Sequence, residues 1–82
     1  MDIEPDDFNN YLLHAQGWIV ESINDQRTIF VHESGITVYI PKVKDPDYVL
    51  LSTWAVTRIA EATWKEKIVV LDEIRNWKTR AS

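Results

Sequence analysis

The spacing of hydrophobic positions changes along the chain, and the change predicts where helices give way to strands. From residue 8 to residue 15, apolar side chains recur at the intervals of one helical face: Phe8, Tyr11, Leu12 and Ala15. An acidic residue, Asp6 or Asp7, precedes this run as a helix cap, and Gly17 follows it as a stop signal. We therefore expect a first helix that ends near Gly17.

Three runs of β-forming residues follow, at positions 18–23, 27–33 and 36–41. The turn residues Asn-Asp-Gln and Ser-Gly separate them, and both connections are short enough for hairpins. Apolar and polar positions alternate within the runs, which is typical of strands with one covered face. The pattern therefore predicts a three-stranded antiparallel meander.

The second half of the chain returns to helical spacing. Asp45 is the predicted N-cap, and an apolar stripe follows: Tyr48, Leu51, Ala55, Ile59 and Ala62. Thr63 and Glu66 match a capping box, so we expect a break within about two residues of Thr63. A third helix would then bury Trp64, Ile68, Leu71 and Ile74, with Val70 and Trp77 beside them. The alternative is one continuous helix over 46–78, roughly 50 Å long.

The predicted order is α-β-β-β-α-α, an α+β fold in which helices pack on one face of the sheet. Eighty-two residues are enough for one small domain, which we assign to 1–82. Residues 1–5 precede the first helical signal, and we expect them to form a flexible N-terminus. A core of this size is thin and is often supplemented by oligomerisation.

Charge is unevenly distributed between the two halves of the chain. Residues 1–41 contain seven acids and one base, whereas residues 42–82 contain eight bases and six acids. An acidic domain with dispersed bases is a poor nucleic-acid binder, because that binding depends on neutralising phosphates. The asymmetry favours contact between opposite halves of two copies, or with another protein that is basic. A solvated surface with no partner explains it equally well.

Composition also excludes several kinds of site. The chain has no cysteine, its two histidines are widely separated and its two glycines form no phosphate loop, so we predict no metal site and no cofactor. The acidic N-terminus lacks the apolar core of a signal peptide, and no apolar run is long enough for a membrane span. These features predict a cytoplasmic protein.

His32, with Glu33 beside it, is the strongest candidate for catalysis. Neighbours along a strand point to opposite faces, so these two residues are not expected to act as an acid–base pair. We predict that His32 is a structural residue on the outer or half-exposed sheet face. If the chain has any nuclease activity, His32→Ala should leave it unchanged.

Four tryptophans in so short a chain exceed the needs of a small core. Trp54, Trp64 and Trp77 lie in the helical half, and tryptophan is enriched at interfaces. We therefore predict a homodimer joined through these three residues, which Trp54→Glu should convert to monomers. The alternative is that all three belong to an internal core.

The element order, the Gly17-Trp18 opening of the first strand and the stretch 28–41 resemble the HicA-like toxins over roughly residues 8–60. Those are small RNA-cleaving proteins with a double-stranded-RNA-binding-like fold. The family's Gly-Ser-His triplet, whose histidine is catalytic, falls here on Asp25, Gln26 and Arg27. The histidine is missing and the chain is acidic, so the resemblance implies the fold without the ribonuclease activity.

The sequence therefore predicts a non-enzymatic, homodimeric protein-interaction module. One alternative is a HicA-like nucleic-acid-acting protein with a changed active site, which retention on heparin at low salt would reveal. Another is a small-ligand carrier with a pocket between sheet and helices, lined by Trp18, Tyr39 and Trp54.

Overall fold

The computed structural model describes residues 3–42, 44 and 46–81, with side chains as far as Trp77. The elements follow the predicted order: α1 (Pro5–His14), β1 (Trp18–Ile23), β2 (Arg27–His32), β3 (Thr37–Pro41), α2 (Tyr48–Thr63) and α3 (Lys67–Ala81). The α+β class and the α-β-β-β-α-α order are thus confirmed. Among these residues, no helix is both long and apolar enough to cross a membrane.

The three strands form an antiparallel meander with β2 in the centre. Phe30 of β2 pairs with Val20 on one side and Val38 on the other, and this row faces the helices. A bulge between Val20 and Ser22 shifts the register of β1, so that Ser22 pairs with Ile29. The alternation of covered and open positions predicted for the strands is therefore present in the sheet.

The core lies between the sheet and α1 and α2, and α3 covers those two helices from the other side. Its largest fully buried side chains come from five of the six elements: Phe8, Leu12, Phe30, Val38, Ile40, Val56, Ile59, Val70 and Ile74. α3 packs mainly against α1 and α2. It contributes two buried side chains to the cluster, Val70 and Ile74, which lie on one face of the helix. This arrangement leaves the opposite side of the sheet open.

Residues 3–5 pack onto the fold, in a segment that we predicted to be flexible. Ile3 is buried, and its carbonyl accepts a 2.8 Å hydrogen bond from the Tyr48 hydroxyl. The first helix begins after Glu4, whose N–H donates to the Asp7 carboxylate at 3.0 Å in a capping box, so the predicted cap at Asp6 or Asp7 is two or three residues too late. The predicted cap at Asp45 lies outside the described residues, and α2 begins after Asp47.

The helix break at Thr63 is confirmed, but its predicted cause is wrong. The Thr63 hydroxyl donates back to the Ile59 carbonyl at 2.7 Å, and α3 begins at Lys67, so Glu66 immediately precedes the helix instead of lying in its first turn. The chain turns because Trp64 adopts the left-handed conformation. The Lys65 N–H then bonds to the Ala60 carbonyl at 3.1 Å, as in a Schellman motif.

The predicted inner face of the third helix is only partly correct. Val70 and Ile74 are buried, and Leu71 and Trp77 are half-buried against the core. Trp64 and Ile68, however, are exposed, because the chain reverses direction at Trp64 before α3 begins. The apolar stripe therefore divides into a buried part and an exposed part at the α2–α3 junction.

Candidate functional site

A cleft of about 680 Å³ opens between the end of α1, the paired ends of β1 and β2, and α3. Its size falls within the range of small-molecule binding sites, about 300–1,000 Å³. The lining combines aromatic, amide and charged side chains: Tyr11, Ala15, Gln16, Trp18, His32, Glu33, Thr63, Lys65, Glu73, Asn76 and Trp77. Two groups of polar residues, one on each wall, determine its chemistry.

The strand wall is organised around Gly17. A Cβ at this position would lie 2.8 Å from His32 Nε2 and 3.5 Å from Glu33 Cδ, so both side chains approach the same glycine. The expectation that His32 and Glu33 point to opposite faces is therefore wrong. The reason is that β2 ends at His32, and Glu33 already belongs to the turn, where its N–H donates to the Gly17 carbonyl at 2.9 Å.

His32 is half-buried on the helix-facing side of the sheet, in the same row as Trp18. The two rings lie 4.9 Å apart at an angle of 59°. The Ser34 N–H donates to His32 Nδ1 at 3.1 Å, so the neutral imidazole carries its proton on Nε2. Trp18 is 6% exposed, and its indole Nε1 is buried without a hydrogen-bond partner.

The helix wall contains an ion pair and a tyrosine. Lys65 Nζ binds both carboxylate oxygens of Glu73, at 2.8 and 3.0 Å, and the Tyr11 hydroxyl donates to Glu73 Oε1 at 3.3 Å. Burial, reinforced by the negative charge of Glu73 and the hydrogen bond to it, raises the pKa of Tyr11 to about 12. Trp77 stacks on His14, with ring centroids 5.3 Å apart, and forms the rim.

The pKa of Tyr11 predicts a loss of stability at alkaline pH. The ordinary value is 10.0, so the native state favours the protonated hydroxyl, and its contribution is lost as the pH rises through about 12. Urea unfolding measures the difference. Between about pH 9 and pH 11, the free energy of unfolding of the wild type should fall by on the order of 1 kcal/mol more than that of Tyr11→Phe. Tyr11→Phe contains the same lysines as the wild type, so the comparison of the two proteins removes the effect of lysine titration. If the free energies of unfolding of the two proteins fell in parallel over this pH range, the raised pKa of Tyr11 would be contradicted.

The residues of the predicted carrier pocket do not meet in one place. Tyr39 and Trp54 stack with their centroids 5.0 Å apart, and the Arg27 guanidinium lies 5.0 Å from the Tyr39 ring. Tyr39 pairs with Ile29, whereas Trp18 pairs with His32, and these rows lie on opposite faces of the sheet. Trp18 therefore belongs to the cleft, and Tyr39 and Trp54 form a separate cluster.

The three tryptophans predicted at the interface occupy different surroundings. Trp54 stacks on Tyr39, Trp77 lies half-buried beside His14, and Trp64 stands at the α2–α3 junction with 95% of its surface exposed. Ile68 is exposed close by and lines a shallow groove together with Trp64. The strongest candidate for an interaction surface is therefore the junction.

Of the residues aligned with the HicA-like catalytic triplet, Asp25 and Gln26 lie in the β1–β2 turn and Arg27 begins β2. The Asn24 side-chain oxygen accepts hydrogen bonds from the backbone N–H groups of Gln26 and Arg27, at 2.8 and 2.9 Å. These bonds give Asn24 a turn-forming role. Within the described part of the chain, no three histidine, aspartate or glutamate side chains group as metal ligands would.

Comparison with protein-family models, with curated proteins and with solved structures gives no match. Function is therefore inferred from the surfaces of the molecule itself. Sequence reasoning missed most of the cleft, including Tyr11 with Glu73 and Lys65, because these residues meet only through packing of α1 on α3. The available signal was Gly17, which marks a close approach as well as a helix end.

Proposed function

We propose that this protein is a non-enzymatic interaction module that self-associates through the α2–α3 junction. The observation that supports the proposal is the exposure of Trp64, 95% of whose surface is open to solvent. An indole ring exposed to water forgoes a large favourable burial energy, and tryptophan is among the residues that contribute most at protein contacts. A partner that covers this ring would recover that energy.

The backbone at Trp64 adds a second argument. Its φ of 58° and ψ of 37° lie in the left-handed region, where glycine is the usual residue at the end of a helix. A residue with a Cβ costs roughly 1–2 kcal/mol in this conformation. Trp64 therefore opposes the stability of the isolated chain while projecting from it, which suits a role in binding rather than in folding.

The surface around Trp64 is suited to a second copy of the same chain. The ring projects beside a groove lined by Thr57, Ala60 and Ile68, so a two-fold axis would place each ring against its partner's groove. Glu66 and Lys67 line the same surface, and both signs of charge are therefore available to pair across the axis. Isologous contacts need this kind of self-complementarity.

Trp64→Gly tests the proposal, because it should change association and stability in opposite directions. We expect wild type at about 50 µM to sediment as a dimer of the 9.6 kDa chain, and the variant as a monomer. At concentrations where both are monomeric, the variant should be more stable by about 1 kcal/mol, since glycine relieves the left-handed strain.

Ile19→Thr provides the matched control, because it removes an exposed aliphatic group from the open face of the sheet. It should leave the dimer unchanged. A wild-type protein that sediments as a single 9.6 kDa species would exclude self-association. A Trp64→Gly monomer less stable than wild type would instead give Trp64 a structural role.

A further inference from the structure

The sheet has one covered edge and one open edge. At the β3 edge, Trp54 of α2 stacks on Tyr39, which lies on the open face of the sheet, so this helix side chain covers the outer side of β3. At the β1 edge, four of the six residues of the strand are exposed: Ile19, Glu21, Ser22 and Ile23. An exposed edge strand is a template on which another extended chain can pair.

The hydrogen bonds at the two ends of β1 show which of its backbone groups face outward. The Gly17 carbonyl accepts a hydrogen bond from the turn after β2, and the Asn24 N–H donates one to the Arg27 carbonyl. Bonding direction alternates from residue to residue along an antiparallel strand. Val20 and Ile23, which lie on either side of the bulge, therefore turn their N–H and carbonyl groups away from β2.

The bulge of β1 restricts what can pair with this edge. Glu21 lies in the bulge, between the two outward-facing residues, and bulges at sheet edges interrupt the pairing of long flat strands. A second copy that paired about the middle of this edge would bring its own Glu21 close to the first, and like charges on paired strands are destabilising. The edge therefore favours a short extended segment of a different protein.

The charge at the β1 edge specifies a basic segment. Glu21 and Asp25 are exposed along β1 and the turn after it, and residues 15–26 contain no lysine or arginine. The next base in the sequence, Arg27, has its guanidinium 5.0 Å from the ring of Tyr39 in β3, so it is directed away from the β1 edge. We propose that the β1 edge binds an extended, lysine- or arginine-rich segment of a partner protein by strand addition.

A small cavity at the start of the β1 edge can hold one side chain of this segment. It has a volume of about 210 Å³, and its lining combines aliphatic groups with a carboxylate: Gly17, Trp18, Ile19, Val31, His32 and Glu33. The apolar stem of a lysine suits the aliphatic part of this lining, and its ammonium group suits the exposed Glu33. The β1 edge is separate from the proposed self-association surface.

Fluorescence anisotropy with three labelled peptides of about eight residues tests the proposal. We expect a peptide of alternating lysine and valine to bind saturably, with a dissociation constant below about 1 mM. The peptide in which glutamate replaces lysine should bind at least about tenfold more weakly. The lysine–valine peptide with two adjacent central amide nitrogens methylated keeps its charge but loses the N–H groups that pair strands, and should also bind about tenfold more weakly. No binding of the first peptide, or equal binding of the methylated one, would overturn the proposal.

Variants of the protein locate the binding site for the lysine–valine peptide. Ile23→Pro removes an outward-facing N–H and should weaken binding about tenfold, whereas Ile23→Thr keeps that N–H and should bind as wild type does. Glu21→Gln should weaken binding about threefold, and Asp72→Asn, the same charge change at an exposed position of α3, should leave it unchanged. If circular dichroism shows that Ile23→Pro does not fold, Glu21→Gln decides the location. Unchanged affinity in the folded variants would refute it.

Trp64→Gly separates this site from self-association. The variant should bind the lysine–valine peptide as tightly as wild type does, because Trp64 lies at the α2–α3 junction. If Trp64→Gly instead remained a dimer in sedimentation and became a monomer when Ile23→Pro was added, a second copy would occupy the β1 edge, and the proposal of a basic partner would be wrong.

Discussion

Replacing Phe30 with alanine is expected to lower the free energy of unfolding by about 3–5 kcal/mol, the largest single effect that we predict. Phe30 has no exposed surface, and it lies in the central strand between Val20 and Val38. A domain of this length has a total stability of roughly 4–12 kcal/mol. The variant should therefore lose a large share of the stability of the domain.

Urea unfolding followed by far-ultraviolet circular dichroism measures this loss. Ile19→Ala is the matched control, because Ile19 lies on the open face of the same sheet with 66% of its surface exposed. It should cost less than about 1 kcal/mol. A loss below about 1.5 kcal/mol for Phe30→Ala would mean that the sheet is not covered by α1 and α2 as described.

Gly17→Ala is expected to destabilise the protein by about 2–3 kcal/mol, which is more than Gly35→Ala should cost. Both glycines have positive φ angles, 90° and 95°, so both substitutions strain the backbone by about 1–2 kcal/mol. A Cβ at Gly35 meets nothing within 4 Å, whereas at Gly17 it lies 2.8 Å from His32 Nε2. The difference between the two variants therefore measures the contact with His32.

A double-mutant cycle isolates this contact. In the His32→Ala background, Gly17→Ala should cost about the same as Gly35→Ala, because only backbone strain remains. Urea unfolding of the four proteins gives the coupling energy. If Gly17→Ala costs the same with and without the imidazole, the close approach of Gly17 to β2 does not contribute to stability.

Local patterns were sufficient for the fold but not for the cleft, and His32 shows why. The strand 27–33 was predicted one residue too long, since β2 ends at His32. Side-chain direction alternates with every residue of a strand, so this one position reversed the expected relation between His32 and Glu33. The error therefore lay in the boundary of the strand, not in the rule of alternation.

The tryptophans show a second limit of sequence reasoning. Their number directed the interface prediction to the helical half, but periodicity alone cannot show whether the apolar face of a helix packs on the sheet, on another helix or on nothing. Because α3 packs on α1 and α2, Trp77 reaches His14, while the left-handed turn at Trp64 places that ring in solvent. Both outcomes depend on contacts between residues far apart in sequence, which no local pattern specifies.

The packing of α1 on α3 also bears on how the chain folds during synthesis. Tyr11 and Glu73, which form a hydrogen bond, are 62 positions apart, so the first helix meets this neighbour only after the residues between them and α3 have left the ribosome. Domains in which distant segments must meet fold more slowly than those built from local contacts. The nascent hairpins can form early, but one flank of α1 stays uncovered until α3 emerges, and a ribosome that stalls before Lys67 would carry a chain suited to chaperone binding.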